Sequence, residues 1–287
     1  MIYIVGAGPG ADDLITVRGA DLLKKADTII YAGSLVNPAL LDYAKTGCEI
    51  YDSAKMTLEE VIGVMERDDA PGKVVVRLHT GDPCIYGAIR EQMDILDSKE
   101  IKYEYVPGVS SFIGAASALK TEYTLPNVSQ TVILTRMAGR TPVPPKEEIE
   151  LLASHQATMI IFLTSTMLEE LSKRLMAGGY SPETPAAIVY RATWPDQKVI
   201  RTTVEKFPIE AEKEGINKMA LICVGNFLGN EYDRSMLYHP GFSHLFREAS
   251  DDSVGGGISD FKAKEEESFK ETNVSYEKRE TSAREVK

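Results

Sequence analysis

The chain has 287 residues, 43% hydrophobic and 26% charged, which is ordinary globular usage with apolar mass for more than one core. Its formal net charge of -11 excludes a long nucleic-acid track, which needs a basic face to neutralise phosphates, and disfavours an anionic membrane surface. Cys48, Cys84 and Cys223 lie far apart with no CxxC pair, so neither a disulfide framework nor a zinc site is indicated.

The first residues run straight into an apolar strand pattern with no basic leader. The longest apolar runs, such as Met159 to Leu163, are far too short to span a membrane, and a cytoplasmic protein is expected. Residues 2–5 read as a strand leading into a Gly-rich turn. A helix within 14–25 carries Val17, Leu22 and Leu23 on its apolar side, and 28–31 is the next strand. Helices are expected around 38–44 and over 58–65, the second opened by Thr57 and Glu60 at capping-box spacing. A buried-type strand at 73–78, a helix at 86–96, a strand at 103–106 and a Ser-capped helix at 111–119 follow. This alternation predicts an α/β fold with a mostly parallel first sheet.

The polar segment 121–130 contains Pro126 and marks the expected boundary between an N-terminal α/β domain (1–125) and a second one (126–232). The second series reads as strands at 131–135, 159–163, 187–190, 198–204 and 219–224, with a helix at 167–176. The strands flanking 194–197 look like a hairpin, so the second sheet is expected to be mixed. Residues 233–287 read as a C-terminal extension, disordered from about 249, where apolar periodicity gives way to Gly255–Gly257 and the charge run Glu265–Glu267.

Three loops carry the chemistry-bearing pattern. Gly6-Ala7-Gly8-Pro9-Gly10-Ala11 follows the first strand and fits the loose form of the dinucleotide fingerprint. Pro9 has no N–H to offer a pyrophosphate, and Asp12 and Asp13 put carboxylates where an anion would sit. So many glycines favour close approach of backbone to a ligand or to a neighbouring loop. His79-Thr80-Gly81-Asp82-Pro83-Cys84-Ile85-Tyr86-Gly87 closes a later strand, and Val106-Pro107-Gly108-Val109-Ser110-Ser111 closes the next. Ligands of open α/β sheets bind beyond the carboxyl ends of strands, and these loops converge on one such edge.

Together these motifs resemble the tetrapyrrole (corrin/porphyrin) methylase family over about residues 1–230. The stretches Tyr31-Ala32-Gly33-Ser34-Leu35-Val36, Thr135 to Pro142 and Ala192-Thr193-Trp194-Pro195-Asp196 resemble the branch that methylates precorrin-4 or cobalt-precorrin-4 at C-11. The resemblance implies two α/β domains, usually as a homodimer, with S-adenosylmethionine between them. By position it assigns Pro9, Thr80, Gly81, Asp82, Ile85, Tyr86, Ser110 and Ser111 to the cofactor, joined by Leu163, Ala192 and Ala220 from the second domain.

The implied substrate is a polycarboxylate tetrapyrrole, so local cations are needed. Arg136 and Arg140 are the first candidates, with Arg18 and Lys55 behind them, because arginine pairs carboxylates through a two-pronged fork. Methyl transfer from a sulfonium asks mainly for positioning, and no catalytic triad is visible. His79 is a weak candidate for a general base. Other readings stay open: another tetrapyrrole methylase, including one for cobalt-free precorrin-4; a nucleotide-cofactor oxidoreductase built on the Gly6 loop; or a silent binding subunit.

Overall fold

The computed structural model describes residues 1–248, and the expectation for 249–287 lies outside them. Five strands make the first sheet: β1 (Ile2–Gly6), β2 (Thr28–Tyr31), β3 (Glu49–Asp52), β4 (Val75–His79) and β5 (Tyr103–Val106). They lie in the order β3-β2-β4-β1-β5, every neighbouring pair parallel. Parallel strands need helical crossovers and cover on both faces, so the inner ones read as continuous apolar runs.

Helix α1 (Val17–Lys25) covers one face, where Leu22 and Leu23 meet Val5, Val76, Leu78 and Val106. Helices α2 (Leu58–Asp68) and α3 (Arg90–Ser98) cover the other, packing Val61, Met65 and Leu96 against Ile30 and Val75. The chain thus leaves β1 toward one face and β4 toward the other. The crevice between their carboxyl ends is where such sheets bind ligands. Helix α4 (Ser111–Leu119) follows β5.

The second sheet contains β6 (Val132–Arg136), β7 (Thr158–Phe162), β8 (Pro185–Tyr190), β9 (Lys198–Thr203) and β10 (Ala220–Val224). Its order is β6-β7-β10-β8-β9; β6 and β7 are parallel, and the other pairs antiparallel. Because β10 runs against both β7 and β8, its first residue, Ala220, lies at the edge where they end. Helices α5 (Ile149–Ala153), α6 (Leu168–Ala177) and α7 (Phe207–Lys213) supply Ile149, Leu171, Leu175 and Phe207 to a core around Met159, Ile161, Ile188 and Ile222.

Residues 1–124 and 128–231 form one compact unit holding both sheets, while 125–127 group with the described chain from 232 onward. In that smaller unit Asn127 donates to Asp233, and the Arg247 guanidinium donates to the carbonyls of Leu237, His239 and Phe242.

The parallel first sheet, the mixed second sheet and the β8–β9 hairpin match expectation. The capping box also forms: Glu60 N donates to Thr57 Oγ1 at 3.3 Å and Thr57 N to Glu60 Oε2 at 2.8 Å. Several elements differ. The helix expected at 38–44 is a 3-10 turn, Pro38–Tyr43, capped by Asn37. The helix expected from residue 86 starts at Arg90, because Tyr86 and Ala88 sit in the left-handed region (φ 56° and 49°). Ser110 occupies the N-cap of α4, but its hydroxyl makes no capping bond. Strand β3 and helices α5 and α7 were not expected.

Candidate active site

The three loops beyond β1, β4 and β5 are locked backbone to backbone. A Cβ on Gly6 would lie 2.6 Å from Gly108 Cα, and one on Gly108 would lie 2.3 Å from Gly81 O. Gly8 N donates to Gly81 O at 3.2 Å, and Gly81 N returns a bond to Gly8 O at 2.9 Å. Ala7 N donates to His79 O at 2.7 Å, and Ala11 N to Thr193 Oγ1 at 2.9 Å. With those N–H groups spent and Pro9 lacking one, the glycine loop is no pyrophosphate cradle, and the oxidoreductase reading loses its motif. The glycines are there for loop-to-loop approach.

Asp82 pins this arrangement. Its Oδ1 accepts from Cys84 N at 2.8 Å and from the Tyr105 hydroxyl, and its Oδ2 accepts from Gly108 N at 2.8 Å. Burial pushes the carboxyl up, but the bonds from Cys84, Tyr105 and Gly108 outweigh it and hold it below the usual carboxylate value.

Both sheets enclose a cavity of about 460 Å³ beside these loops. Pro9, Thr80, Gly81, Asp82, Ile85 and Tyr86 line it from the first sheet, with Ser110 and Ser111 at the start of α4. Leu163 after β7, Ala192 after β8 and Ala220 opening β10 line it from the second. Every position assigned to the cofactor on sequence grounds is thus brought to one cavity. Its rim concentrates backbone strain: Tyr86, Leu163, Arg191 and Met219 are non-glycine residues with φ of 56°, 52°, 45° and 51°. Left-handed backbone at such residues costs on the order of 1–3 kcal/mol each and gathers at ligand sites.

The family profile of the tetrapyrrole (corrin/porphyrin) methylases matches residues 1–208. The chain belongs to this family. It is 53% identical over 249 residues to a cobalt-precorrin-4 C(11)-methyltransferase of Methanocaldococcus jannaschii, covering 86% of this chain and 96% of that protein. A precorrin-4 C(11)-methyltransferase of Mycobacterium tuberculosis is 44% identical over 239 residues, covering 83% and 95%. The X-ray structure of a cobalamin biosynthetic enzyme, a cobalt precorrin-4 methyltransferase, superposes with a TM-score of 0.78 at 48% identity, covering 80% of this chain and 96% of that one.

In this methylase the cavity has cationic members that sequence reasoning missed. Arg191 and Lys218 line it, and Arg191 stacks over the Trp194 ring at 4.0 Å while pairing with Asp196 at 2.5 Å. Arg191 directly precedes the Ala192–Asp196 motif, and that adjacency was the available signal. The four cations singled out from sequence line neither this cavity nor the smaller one beside it. Arg136 donates to the carbonyls of Thr141 at 3.2 Å and Pro142 at 2.7 Å, tying down its own loop. Its charge still reaches Tyr86: burial pushes that phenol up and Arg136 pulls it down. Arg18 and Arg140 are exposed, and Lys55, 83% exposed, stands 3.9 Å from Asp52.

His79 lines only the smaller cavity, of about 300 Å³, which shares Leu35, Thr80 and Tyr86 with the larger one. Burial, and then the charge of Arg77, pushes its pKa down to about 3. The imidazole is therefore neutral at pH 7 and too weakly basic for efficient proton abstraction there. Among the described residues no group of three or more His, Cys, Asp or Glu could hold a metal ion, and no helix is long and apolar enough to cross a membrane.

Proposed function

We propose that this methylase transfers a methyl group from S-adenosylmethionine to C-11 of cobalt-precorrin-4 in corrin-ring synthesis. The observation that carries the reading is the convergence of all the positions that the resemblance assigns to the cofactor, from two sheets, on one 460 Å³ cavity. Its apolar wall at Leu163, Ala192 and Ala220 suits an adenine ring. The hydroxyls of Thr80, Ser110 and Ser111 offer hydrogen bonds to the ribose and amino-acid ends.

When bound, S-adenosylmethionine supplies a methyl already activated by a positive sulfur. The chain's own part is positioning. Asp82 fixes the loops, Leu35, Thr80 and Tyr86 stand between the two cavities, and the acceptor carbon has to be held in line with the methyl at near-attack distance. Higher identity to relatives named for the cobalt-bearing substrate than to those named for precorrin-4 supports cobalt-precorrin-4 as acceptor. A homodimer in the cytoplasm follows the same family expectation, and light scattering tests the dimer.

The test is a mass-spectrometric assay of methyl transfer to precorrin-4 with and without cobalt, beside melting curves with S-adenosylhomocysteine or NAD. Turnover of the cobalt form and a melting shift with S-adenosylhomocysteine alone are expected; ligand at 100 times its Kd stabilises by about 2.7 kcal/mol. A shift with NAD, or turnover of the cobalt-free form only, refutes the assignment.

A further inference from the structure

Strand β4 carries Arg77 and His79 on the face it shares with Val75, where a buried parallel strand is normally apolar. Arg77 is 6% exposed and His79 4%. Arg77 donates from Nε to Gln92 Oε1 at 3.2 Å and from Nη1 to Ile30 O at 3.1 Å, and Gln92 is itself held by donating to Ala88 O at 3.0 Å. Those partners are neutral. Nothing among the described residues offsets the burial that pulls the guanidinium down to about 10. Among those residues its Nη2 finds no hydrogen-bond partner, and neither does either ring nitrogen of His79, whose Nε2 is fully buried.

A buried cation without a counter-charge, beside a buried imidazole without a partner, is a costly arrangement in an otherwise well-paired sheet. Both side chains line the same 300 Å³ cavity, together with the hydroxyl-bearing Ser53 and Thr57. We propose that this cavity is a carboxylate subsite, in which Arg77 and His79 receive one acid side arm of the tetrapyrrole acceptor; this rests on the function proposed above.

The geometry favours that occupant. The space is ample for one acid arm, and it adjoins the larger cavity through Leu35, Thr80 and Tyr86. An acceptor ring lying over those residues can drop an arm onto β4 while its carbon faces the methyl donor. Arg77 Nη2 and an imidazole N–H then meet the carboxylate as two donors, both charge-assisted by the acceptor and the first also by its own charge. A neutral His79 serves here without adding a second desolvated cation beside Arg77. Exposed Glu91 also lines this cavity and repels further carboxylates, which restricts the subsite to one arm.

The test uses the full chain and the variants His79→Leu, Arg77→Gln and Glu91→Gln. The first two should raise the KM for cobalt-precorrin-4 by about 10- to 100-fold, the loss expected when one hydrogen bond to a charged group is removed. Their kcat should change less, and their affinity for S-adenosylhomocysteine should stay within about twofold, since neither residue lines the larger cavity. Glu91→Gln should lower KM. Because Arg77→Gln also cuts bonds to Ile30 and Gln92, its folding is checked by melting, and His79→Leu stands alone if it fails. In parallel, nitrogen-15 spectra of the histidines are recorded with uroporphyrin III, a carboxylated tetrapyrrole, and with acetate at equal carboxylate concentration. The His79 signals should move with uroporphyrin III and not with acetate. An unchanged KM in His79→Leu, parallel loss of S-adenosylhomocysteine affinity, or an equal response to acetate overturns the subsite. Wild-type failure to methylate cobalt-precorrin-4 overturns the functional reading instead, and the spectra then judge the subsite by themselves.

Discussion

Gly10 and Trp194 are in contact between the loops of the two sheets: a Cβ on Gly10 would lie 2.2 Å from the indole Cδ1 and 2.6 Å from Ala192 O. The absent side chain is the room that Trp194 fills. Gly10→Ala therefore has to push back a backbone carbonyl as well as a ring, and should cost about 1–3 kcal/mol in stability. Because Ala192 lines the 460 Å³ cavity proposed to hold the cofactor, affinity for S-adenosylhomocysteine should fall with it. Gly63 is the control: it sits inside α2, and a methyl added there would meet nothing within 4 Å, so Gly63→Ala should gain about 0.5–1 kcal/mol. Equal melting temperatures for the two variants would contradict this account.

Asp82 accepts hydrogen bonds from Cys84, Tyr105 and Gly108, which separates two variants. Tyr105 does not line the cavity, yet it donates to Asp82. Tyr105→Phe should therefore weaken S-adenosylhomocysteine through loop disorder alone. Asp82→Asn, which sets an amide N–H against a backbone N–H, should destabilise the fold by about 1–3 kcal/mol. Calorimetry showing full affinity in Tyr105→Phe would mean that the Asp82 network does not shape the cavity.

Stability should carry a histidine signature on the acid side. An unfolded imidazole takes its proton near pH 6.5, and His79 in the fold only near about 3. Between those values the unfolded chain binds the extra proton. The stability present above about pH 6.5 is thus lost as pH falls toward about 3, at up to roughly 1.4 kcal/mol per unit. Below about pH 4 the carboxyls of Asp68 and Asp82, both held below their usual value, add losses of the same sign. Urea titrations at pH 6.5, 5.5 and 4.5 should show a slope that His79→Leu flattens; an identical slope in both proteins would remove His79 from the explanation.

Arg136 and Arg140 should part company. Arg136→Glu removes the donors that hold the carbonyls of Thr141 and Pro142, and should lower both melting temperature and activity. Exposed Arg140 holds nothing comparable, so Arg140→Glu should leave melting unchanged. If Arg140 meets substrate carboxylates, its charge reversal raises the tetrapyrrole KM by about 10-fold or more. Wild-type kinetics in Arg140→Glu would remove it from the substrate face.

The candidate site was legible in short backbone-specific runs at strand ends: Gly81-Asp82-Pro83, Pro107-Gly108 and the Gly6 loop could be placed together before any fold was known. The first sheet was legible because buried parallel strands announce themselves as apolar runs. What stayed hidden has no local code. Nothing in Ala220–Val224 says that it inserts antiparallel between β7 and β8, which is what carries Ala220 to the cavity. Strand β3 is a half-exposed edge with the mixed sequence Glu-Ile-Tyr-Asp, and α5 and α7 are too short to show a period. Arg77 was passed over inside a run read as simply buried, although a charge in the middle of such a strand is itself a signal. The four cations chosen from sequence line neither cavity, because an exposed arginine and an arginine clamped on its own loop look alike in sequence.

The place of β1 in its sheet also bears on how the protein is made. Its two partners are β4 and β5, so β1 cannot be completed until Val106 has emerged from the ribosome. At roughly 5–20 residues per second, synthesis leaves Ile2–Val5 without its full sheet for about 5–20 s. During that interval a short, uncharged, β-prone stretch stands open to wrong pairing. Until β4 and β5 are made, β1 is exposed to aggregation, and a chaperone that engages early would matter more here than one that waits for release.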